Sequence, residues 1–503
     1  MRGKLTIGKD AEAQVDAASR EIDTFSAMLP CQRFRIRASV MSNKDVPLTL
    51  EFGLRFLKTL DSASIEDIQD FFGFGPKETF LLLEDLLQPG FACPDEDGEL
   101  TLSQAGRDLF SHADPERPQM IKVEEIDESI GFDLISFSLA KKPHRALHHR
   151  AMDELPLSDR KRASKGREAA KEAFQRAFAE YREVRWRGST RKIYSIDDAE
   201  PEERFLAEVS VPIVTRTSSG CVVEPDFSEL SLLGRPGSRG PVIASIARYL
   251  HTLAWPDDAA AAIDLIAQCD EGTISRFRVA GMLDPVVWLK FVMAERPPRE
   301  EVSPIKHLFG SVVSPRVKEA LEAWVPSLGL TDHDPANPYI WLRPRLPTWG
   351  RGAMFHEMAT ALGGDGDGPG IVMLAPTDDL RTDSKDLRRA YEPRDRQPSP
   401  FTTAFLIDPR GLPGSLEILI DPGRWALVLI HIRGEGELKM PVPVGFLAAN
   451  PTMVANIQAT VRAAVPHGDS WQLLWSAKGL SQKVAVSQIL GLLKTGTSGV
   501  VEG

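Results

Sequence analysis

Residues 47–112 read PLTLEFGLRFLKTLDSASIEDIQDFFGFGPKETFLLLEDLLQPGFACPDEDGELTLSQAGRDLFSH and contain the clearest succession of helix and turn signals in the chain. Leucine and phenylalanine recur at helical spacing over Leu48–Leu60, which predicts a first helix with one wide apolar face. Ser64 is a residue type that caps helix starts, and the acids that follow it suit the positive end of a helix. A second helix is therefore expected after Ser64, with Ile68 and Phe72 facing inward, as Ile65 also would.

A third helix is predicted over residues 77–87, after a glycine-rich turn at residues 73–76. Its spacing assigns an inward position to Phe80, Leu83 and Leu87. Two short extended runs then flank an Asp-Gly turn within residues 91–102, which is typical of a β-hairpin. Ser103 follows as the cap of a last short helix.

The order helix, helix, helix, hairpin, helix resembles a winged helix-turn-helix domain, and Gly106-Arg107 behind Leu100-Thr101 adds to the resemblance. It covers only residues 47–112 and implies that the hairpin is a wing and that residues 77–87 form a recognition helix. The charge does not suit DNA, because residues 61–100 hold eleven acids and one base, Lys77. Phosphates would be repelled, so the charge favours a protein partner or another part of this chain.

Length, net charge and cysteine pattern exclude several classes of protein. The chain has 503 residues and a net charge of −11, so it is long enough for about three domains and is not a globally basic nucleic-acid binder. Its four cysteines are scattered without a Cys-x-x-Cys pair, which fits a reducing cytoplasm and gives no zinc or disulfide framework. No apolar run approaches the ~20 residues that span a bilayer. We expect a cytoplasmic protein without a membrane partner, metal or cofactor.

The whole chain is expected to be an α+β multidomain protein. A charged arm and a basic strand would occupy residues 1–46, the winged helix 47–115, and further strands with a basic helix 116–195. A hairpin and a mostly α-helical middle domain would follow over 196–330, and an α+β domain over 331–503. In that last domain we expect a link at 335–347, a loop at 377–400 and an antiparallel meander across 403–444.

Two basic segments are candidate nucleic-acid contacts. In the strand at residues 31–40, every second residue from Arg33 is an arginine, so three guanidinium groups would share one face. They could bind phosphates, or they could neutralise the acidic unit that follows. Residues 141–192 hold sixteen bases and seven acids and predict a long helix from about Ser158, docked by its C-terminal half and basic at its exposed N-terminal half. The alternatives are a solvated helix or a dock for the acidic unit. The candidates are Arg160, Lys161, Arg162, Lys165, Arg167, Lys171, Arg33, Arg35 and Arg37.

One catalytic alternative remains. Asp421 follows a strand, and Glu437 and Lys439 lie sixteen and eighteen residues further on in another, an arrangement that resembles the Mg²⁺ site of restriction-type nucleases. An exposed hairpin end is the simpler interpretation.

The reversal of charge between residues 61–100 and 141–192 favours a non-enzymatic, nucleic-acid-associated subunit of a bacterial multiprotein assembly. The overall layout, one small winged helix followed by α and α+β regions, resembles accessory subunits of multi-gene anti-phage systems. The winged helix would be an interaction platform, and the basic helix would contact DNA or RNA. The alternatives are the nuclease and a winged-helix transcription regulator.

Overall fold

The computed structural model describes residues 19–110, 116–142, 150–157, 165–216, 221–228, 230, 239–269, 271–275, 277–294, 304–330, 337–364, 368–394, 399–465 and 470–494. Helices and several sheets are combined, so the coarse class is α+β. Within this described part, no helix is both long enough and apolar enough to cross a bilayer.

The N-terminal half is built from long strands with helices between them. Its elements in chain order are β1 (Ser19–Asp45), α1 (Leu48–Leu60), β2 (Ser62–Ala63), α2 (Ile65–Phe72), α3 (Pro76–Leu87), β3 (Ala92–Pro94), β4 (Leu100–Leu102), α4 (Gln104–Asp108), β5 (Gln119–Asp133), α5 (Gly166–Arg185), β6 (Lys192–Arg216) and β7 (Val222–Pro225).

One antiparallel sheet with the order β5-β1-β6-β7 dominates this half. Phe34, Ile36 and other alternate residues of β1 point to one face, where they are buried under α5 together with Phe174 and Phe178. This sheet takes strands from residues 19–45, 119–133 and 192–225. It therefore crosses three of the domains expected from the sequence, because its pairs are distant in the chain.

Residues 46–110, which we call the insert, lie between β1 and β5. The two strands pair up to Asp45 and Gln119, so the insert is carried at the end of their hairpin. Ser64 accepts a hydrogen bond from the Asp67 backbone N–H, and Asp67 accepts one from Ser64, which forms a capping box at the start of α2. Strands β2, β4 and β3 form a small antiparallel sheet beside the three helices.

The predicted helices and hairpin of the insert occur where the sequence placed them, but the buried face of α3 was predicted wrongly. Leu82 and Leu86 are buried, whereas Phe80 and Leu87 are exposed and Leu83 is only half-buried. Gly53 of α1 explains why the side of α3 with Leu82 faces inward, since a Cβ at position 53 would lie 2.9 Å from Leu82 Cδ1. The two helices approach closely at this glycine and fix which side of α3 faces inward. Ile65, also expected inside, is exposed.

The C-terminal half alternates helices and strands. Its elements are α6 (Gly240–His251), α7 (Ala259–Ala267), α8 (Glu271–Ser275), β8 (Arg278–Val279), β9 (Met282–Leu283), α9 (Pro285–Ala294), β10 (Ile305–Phe309), α10 (Pro315–Glu319) with a π-helical stretch Ala320–Trp324, α11 (Val325–Ser327), β11 (Tyr339–Leu342), α12 (Ala353–Gly363), β12 (Ile371–Pro376), α13 (Leu380–Tyr391), β13 (Phe401–Ile407), β14 (Leu416–Asp421), β15 (Trp425–Arg433), β16 (Pro441–Ala448), α14 (Pro451–Ala464), β17 (Gln472–Ser476) and α15 (Gln482–Leu492).

These elements form an eight-stranded mixed sheet with the order β10-β16-β15-β14-β11-β12-β13-β17. Strands β11, β12 and β13 run parallel, joined by crossover helices α12 and α13, and every residue of β11 and β12 is buried. Side chains such as Val372 and Leu374 enter the core shared with α6, α7 and α14, and Met373 enters the core under α12 and α13.

Four expectations for this half differ from the structure. The meander is limited to β14, β15 and β16, because β13 pairs in parallel with β12. The expected link at 335–347 contains β11, and the expected loop at 377–400 contains α13. Strand β10 lies in the expected middle domain, yet it pairs with β16 of the expected C-terminal domain. The expected boundary at residue 330 therefore cuts through the eight-stranded sheet.

Candidate functional site

The basic helix expected from about Ser158 starts, among the described residues, as α5 at Gly166. Arg160, Lys161 and Arg162 lie outside the described residues. Lys165 and Arg167 are exposed at the start of the helix, with Arg167 Nη2 3.9 Å from Asp198 Oδ2. Lys171 donates from Nζ to the backbone carbonyl of Asp197 over 2.6 Å.

The helix docks along its whole length, not by its C-terminal half alone. Ala169, Ala170 and Ala173 are buried, and their small side chains bring the first half of α5 down onto the sheet. Acids of the same sheet lie beside the basic residues near its other end. Arg185 pairs with Glu128 over 3.2 Å, as Arg191 does with Glu124 over 2.9 Å.

Glu124 illustrates how well this charge is compensated. Hydrogen bonds from Lys122 and Arg191 lower its pKa to about 2. A basic surface that already holds carboxylates of its own sheet attracts phosphates less than its residue count suggests.

Arg33, Arg35 and Arg37 lie on the face of β1 opposite α5, as the alternation predicts. Arg35 makes a bidentate contact with Asp127, with distances of 2.8 and 2.6 Å. Arg37 contacts two acids, Asp198 at 3.2 Å and Glu200 at 3.1 Å, and Arg33 lies 3.6 Å from Glu203. The acids that pair with these three arginines come from β5 and β6 and not from the insert. The three guanidinium groups therefore do not form a row of unpaired positive charges.

The proposed nuclease residues are not brought together. Asp421 is buried at the end of β14, where its carboxylate accepts from Arg424 over 3.2 Å. Glu437 is 89 % exposed in the loop between β15 and β16. That loop, which also holds Lys439, lies at the other end of β15, whose nine residues span about 26 Å at ~3.3 Å per residue.

Because β15 runs antiparallel to β14, Asp421 and Glu437 lie at opposite ends of β15. The sequence spacing had suggested these two carboxylates as a pair. Within the described residues, no group of three or more His, Cys, Asp or Glu side chains could hold a metal ion.

The insert exposes an unusual set of apolar side chains. Four phenylalanine rings form a cluster that reaches the surface: Phe56 and Phe71 lie 4.5 Å apart, Phe71 and Phe72 4.9 Å, and Phe72 and Phe74 5.2 Å. Phe71 is 67 % exposed, and Phe52 is exposed one helical turn before Phe56. We call Phe52, Phe56, Phe71, Phe72 and Phe74 the aromatic face.

Uncompensated acids accompany the aromatic face. Eleven acids of residues 61–100 lie on the insert, ten of them exposed, and none forms an ion pair with a described residue. Helix α3 adds exposed Phe80 and Leu81 next to Glu84 and Asp85. The surface of the insert is thus both apolar and negative.

A second candidate site is a cavity of about 370 Å³ in the C-terminal half. It lies where β11 and β12 end, with residues 343–351 following β11 and residues 377–379 leading into α13. Five arginines line it, and we call it the arginine cavity: Arg150, Arg343, Arg345, Arg351 and Arg389.

Four aspartates also line the cavity, and three of them are already engaged. Asp379 caps α13 by accepting from the backbone N–H groups of Arg381 and Thr382. Asp383 accepts from the Thr377 hydroxyl, and Asp378 pairs with Arg345.

The sequence pattern did not single out this cavity. Its arginines come from three separate segments, and only the run of arginines directly after the buried stretch at 339–342 could have indicated it. Phosphate-binding residues often follow parallel strands, but β11 was assigned to a link.

No protein-family model matches this chain, and no curated protein or solved structure is significantly similar to it.

Proposed function

We propose that this chain is a non-enzymatic subunit of a multiprotein assembly, and that its insert is a winged-helix unit that docks a partner protein. The partner presents a basic amphipathic helix, with apolar side chains for the aromatic face and Lys or Arg for the surrounding acids. The observation that carries this proposal is the aromatic face amid unpaired acids. The order of helices and the β2-β4-β3 pairing support the winged-helix assignment.

Apolar burial would supply the affinity. Phe71 is exposed and contacts Phe56 and Phe72, which are half-buried against the core of the insert. Aromatic side chains are enriched at the centres of interfaces. A fully buried phenylalanine contributes roughly 1.5–3 kcal/mol. Phe71 alone would therefore be a major contributor to binding.

Charge would supply the selectivity. Carboxylates around an apolar centre attract a basic partner and repel acidic ones, mainly by raising the association rate. The same carboxylates repel nucleic acid: Glu78, Glu84 and Asp85 lie on α3, the helix that would otherwise enter the major groove, beside the single base Lys77.

Site-specific photo-crosslinking tests the proposal. The photoreactive residue p-benzoyl-phenylalanine replaces Phe71 in the full chain, and in the matched control it replaces Val184, which is 78 % exposed on α5. Adducts formed in the native cell are identified by mass spectrometry, and the partner is then purified and titrated. We expect an adduct at position 71 whose cross-linked peptide is basic and amphipathic.

Titration of the purified partner then separates docking from chance capture. Phe71→Ser should weaken binding about ten-fold or more, and Val184→Ser should leave it unchanged. Raising the salt from about 0.05 to 0.2 M should weaken association. Nucleic acid cross-linked at position 71, a second copy of the chain there, or no adduct would each overturn the proposal.

A further inference from the structure

We propose that the arginine cavity binds a phosphate-bearing small molecule, with the phosphate held by Arg343, Arg150 and Arg389. This site is separate from the insert and does not depend on the docking function. The inference rests on the position of the cavity in the sheet, on the three of its arginines that form no ion pair with a described residue, and on its size.

The position suits a ligand site. In sheets with parallel strands, ligands bind beyond the carboxyl ends of those strands, where the connecting loops diverge. The arginine cavity lies at the carboxyl ends of β11 and β12, next to the point where β11 also pairs with antiparallel β14. The sheet thus changes from parallel to antiparallel at the strand that delivers Arg343.

The arginines of the cavity fall into two groups. Arg345 pairs with Asp378 and Asp258, and Arg351 contacts Asp153, so these two are held by acids of the chain. Arg343 forms no ion pair with a described residue.

Arg343 has only weak partners. Its Nε donates to the Pro344 carbonyl over 3.4 Å, and its guanidinium lies 5.7 Å from the centre of the Trp349 ring. Asp383 lies close enough to interact through space, but it accepts from the Thr377 hydroxyl.

Arg150 is similarly short of partners. Its Nη2 donates to the Glu392 carbonyl over 3.1 Å, while Nε and Nη1 are buried without a hydrogen-bond partner among the described residues. Arg389 likewise makes no ion pair with a described residue. Buried donors without acceptors are costly, and a ligand oxygen would satisfy them.

The pKa values report burial: desolvation lowers the pKa of Arg351, which contacts Asp153, as it does for the two arginines without an ion pair. Burial lowers the pKa of Arg343, and burial together with a neighbouring Arg394 lowers the pKa of Arg150. An arginine on the surface that pairs with an acid behaves oppositely: the hydrogen bond and charge of Asp127 raise the pKa of Arg35. Arg343 and Arg150 thus form no ion pair with a described residue, while the carboxylates of Asp383 and Asp386 also line the cavity.

The ligand class follows from the donors and the volume. Guanidinium groups match the oxygens of phosphate in a fork geometry and make charge-assisted hydrogen bonds. A volume of about 370 Å³ lies near the lower end of ligand pockets, which suits a sugar phosphate or a nucleoside monophosphate. These sources share the phosphate group, and the test distinguishes them.

Isothermal titration calorimetry of the full chain tests the site. The probes are inorganic phosphate, ribose 5-phosphate, AMP and, as the form without phosphate, adenosine. Wild type is compared with Arg343→Gln, with Arg389→Gln at an exposed edge of the cavity, and with the matched control Arg187→Gln, whose side chain is 92 % exposed on the N-terminal half. Arg389→Gln keeps the test valid if Arg343→Gln does not fold.

We expect ribose 5-phosphate or AMP to bind with a dissociation constant below about 1 mM, and we expect adenosine not to bind. Arg343→Gln or Arg389→Gln should weaken binding about ten-fold or more, with Arg187→Gln unchanged. Binding of AMP with no binding of ribose 5-phosphate would identify a nucleotide. Equal binding of adenosine and AMP, an unchanged affinity in both cavity variants, or no binding of any phosphate would overturn the proposal.

Discussion

Replacing Glu417 by leucine should destabilise the C-terminal sheet strongly. Glu417 is 1 % exposed on β14, and its carboxylate is the acceptor for three buried groups. Trp341 Nε1 donates to Oε1 over 3.0 Å, Trp349 Nε1 donates to the same oxygen over 2.7 Å, and His431 Nε2 lies 2.9 Å from Oε2. Leucine would leave all three groups without an acceptor in the core.

The magnitude follows from these contacts. Each buried donor that loses its partner costs about 1–3 kcal/mol, so three of them cost about 3–9 kcal/mol. Burying the leucine side chain offsets part of this, by roughly 2 kcal/mol. We therefore expect Glu417→Leu to lower the free energy of unfolding by about 4 kcal/mol.

Glutamine is the informative control at the same position. Its amide oxygen can still accept from Trp341 and Trp349, and its amide nitrogen can donate to His431 when that ring nitrogen is unprotonated. Glu417→Gln should therefore cost only about 1–2 kcal/mol.

Urea unfolding, followed by tryptophan fluorescence and by circular dichroism, measures both variants against wild type. Fluorescence reports on this region because Trp341 and Trp349 lie in the network. A loss below about 1 kcal/mol for Glu417→Leu, or equal losses for leucine and glutamine, would refute the reasoning that unmet buried donors dominate here.

Three further perturbations concern single side chains. Burial raises the pKa of Asp23 to about 6, so the folded state keeps a proton that the unfolded chain releases between about pH 4 and pH 6. Wild-type stability should fall by about 2–3 kcal/mol as the pH rises through that window, and Asp23→Asn should remove this part of the pH profile in urea titrations. Phe174→Ala should cost about 3–5 kcal/mol in chemical unfolding, because the ring is fully buried between α5 and β1, whereas the exposed Val184→Ala should cost under about 0.5 kcal/mol. Asp379→Ala should lower thermal stability by about 1 kcal/mol through the loss of the α13 cap, while Asp379→Asn should retain most of it.

Local signals in the insert could be read from the sequence because each acts within a few residues. Ser64 and Asp67 cap α2 through contacts three residues apart, and Pro76 starts α3. The inward face of α3 could not be read in the same way. Two apolar stripes overlap on that helix, and the choice between them depends on Gly53, a residue of another helix.

Strand pairing likewise could be predicted from the sequence only where the paired strands are close together in the chain. The turns that join β14, β15 and β16 are short, so their antiparallel pairing follows from the sequence. The parallel pairing of β13 with β12 depends on recognising α13 as a crossover helix. That helix is charged at six of its twelve positions and buries only Leu387 and Tyr391, so its apolar periodicity is too sparse to separate it from a loop.

The candidate sites were harder to predict from the sequence than the strand pairing, because a count of charged residues does not show which of them form ion pairs. The two basic segments were the strongest charge signals in the sequence, yet Arg185, Arg35 and Arg37 all have acids of the N-terminal sheet within ion-pair distance. The arginine cavity gave almost no signal, since Arg150 and Arg343 are nearly two hundred residues apart. Only the folded chain brings them together.

Charge pairing links the two proposals. In the long N-terminal sheet, bases of β1 and α5 face acids of β5 and β6, so the chain supplies both signs there. The insert has an excess of exposed carboxylates, and three arginines of the cavity, Arg150, Arg343 and Arg389, form no ion pair with a described residue. An exposed excess of one sign adds self-repulsion to the folded state, and a bound partner of the opposite sign relieves it. A basic protein segment at the insert and a phosphate in the cavity are the partners that would relieve the two excesses, so each should bind more weakly as salt screens the charge.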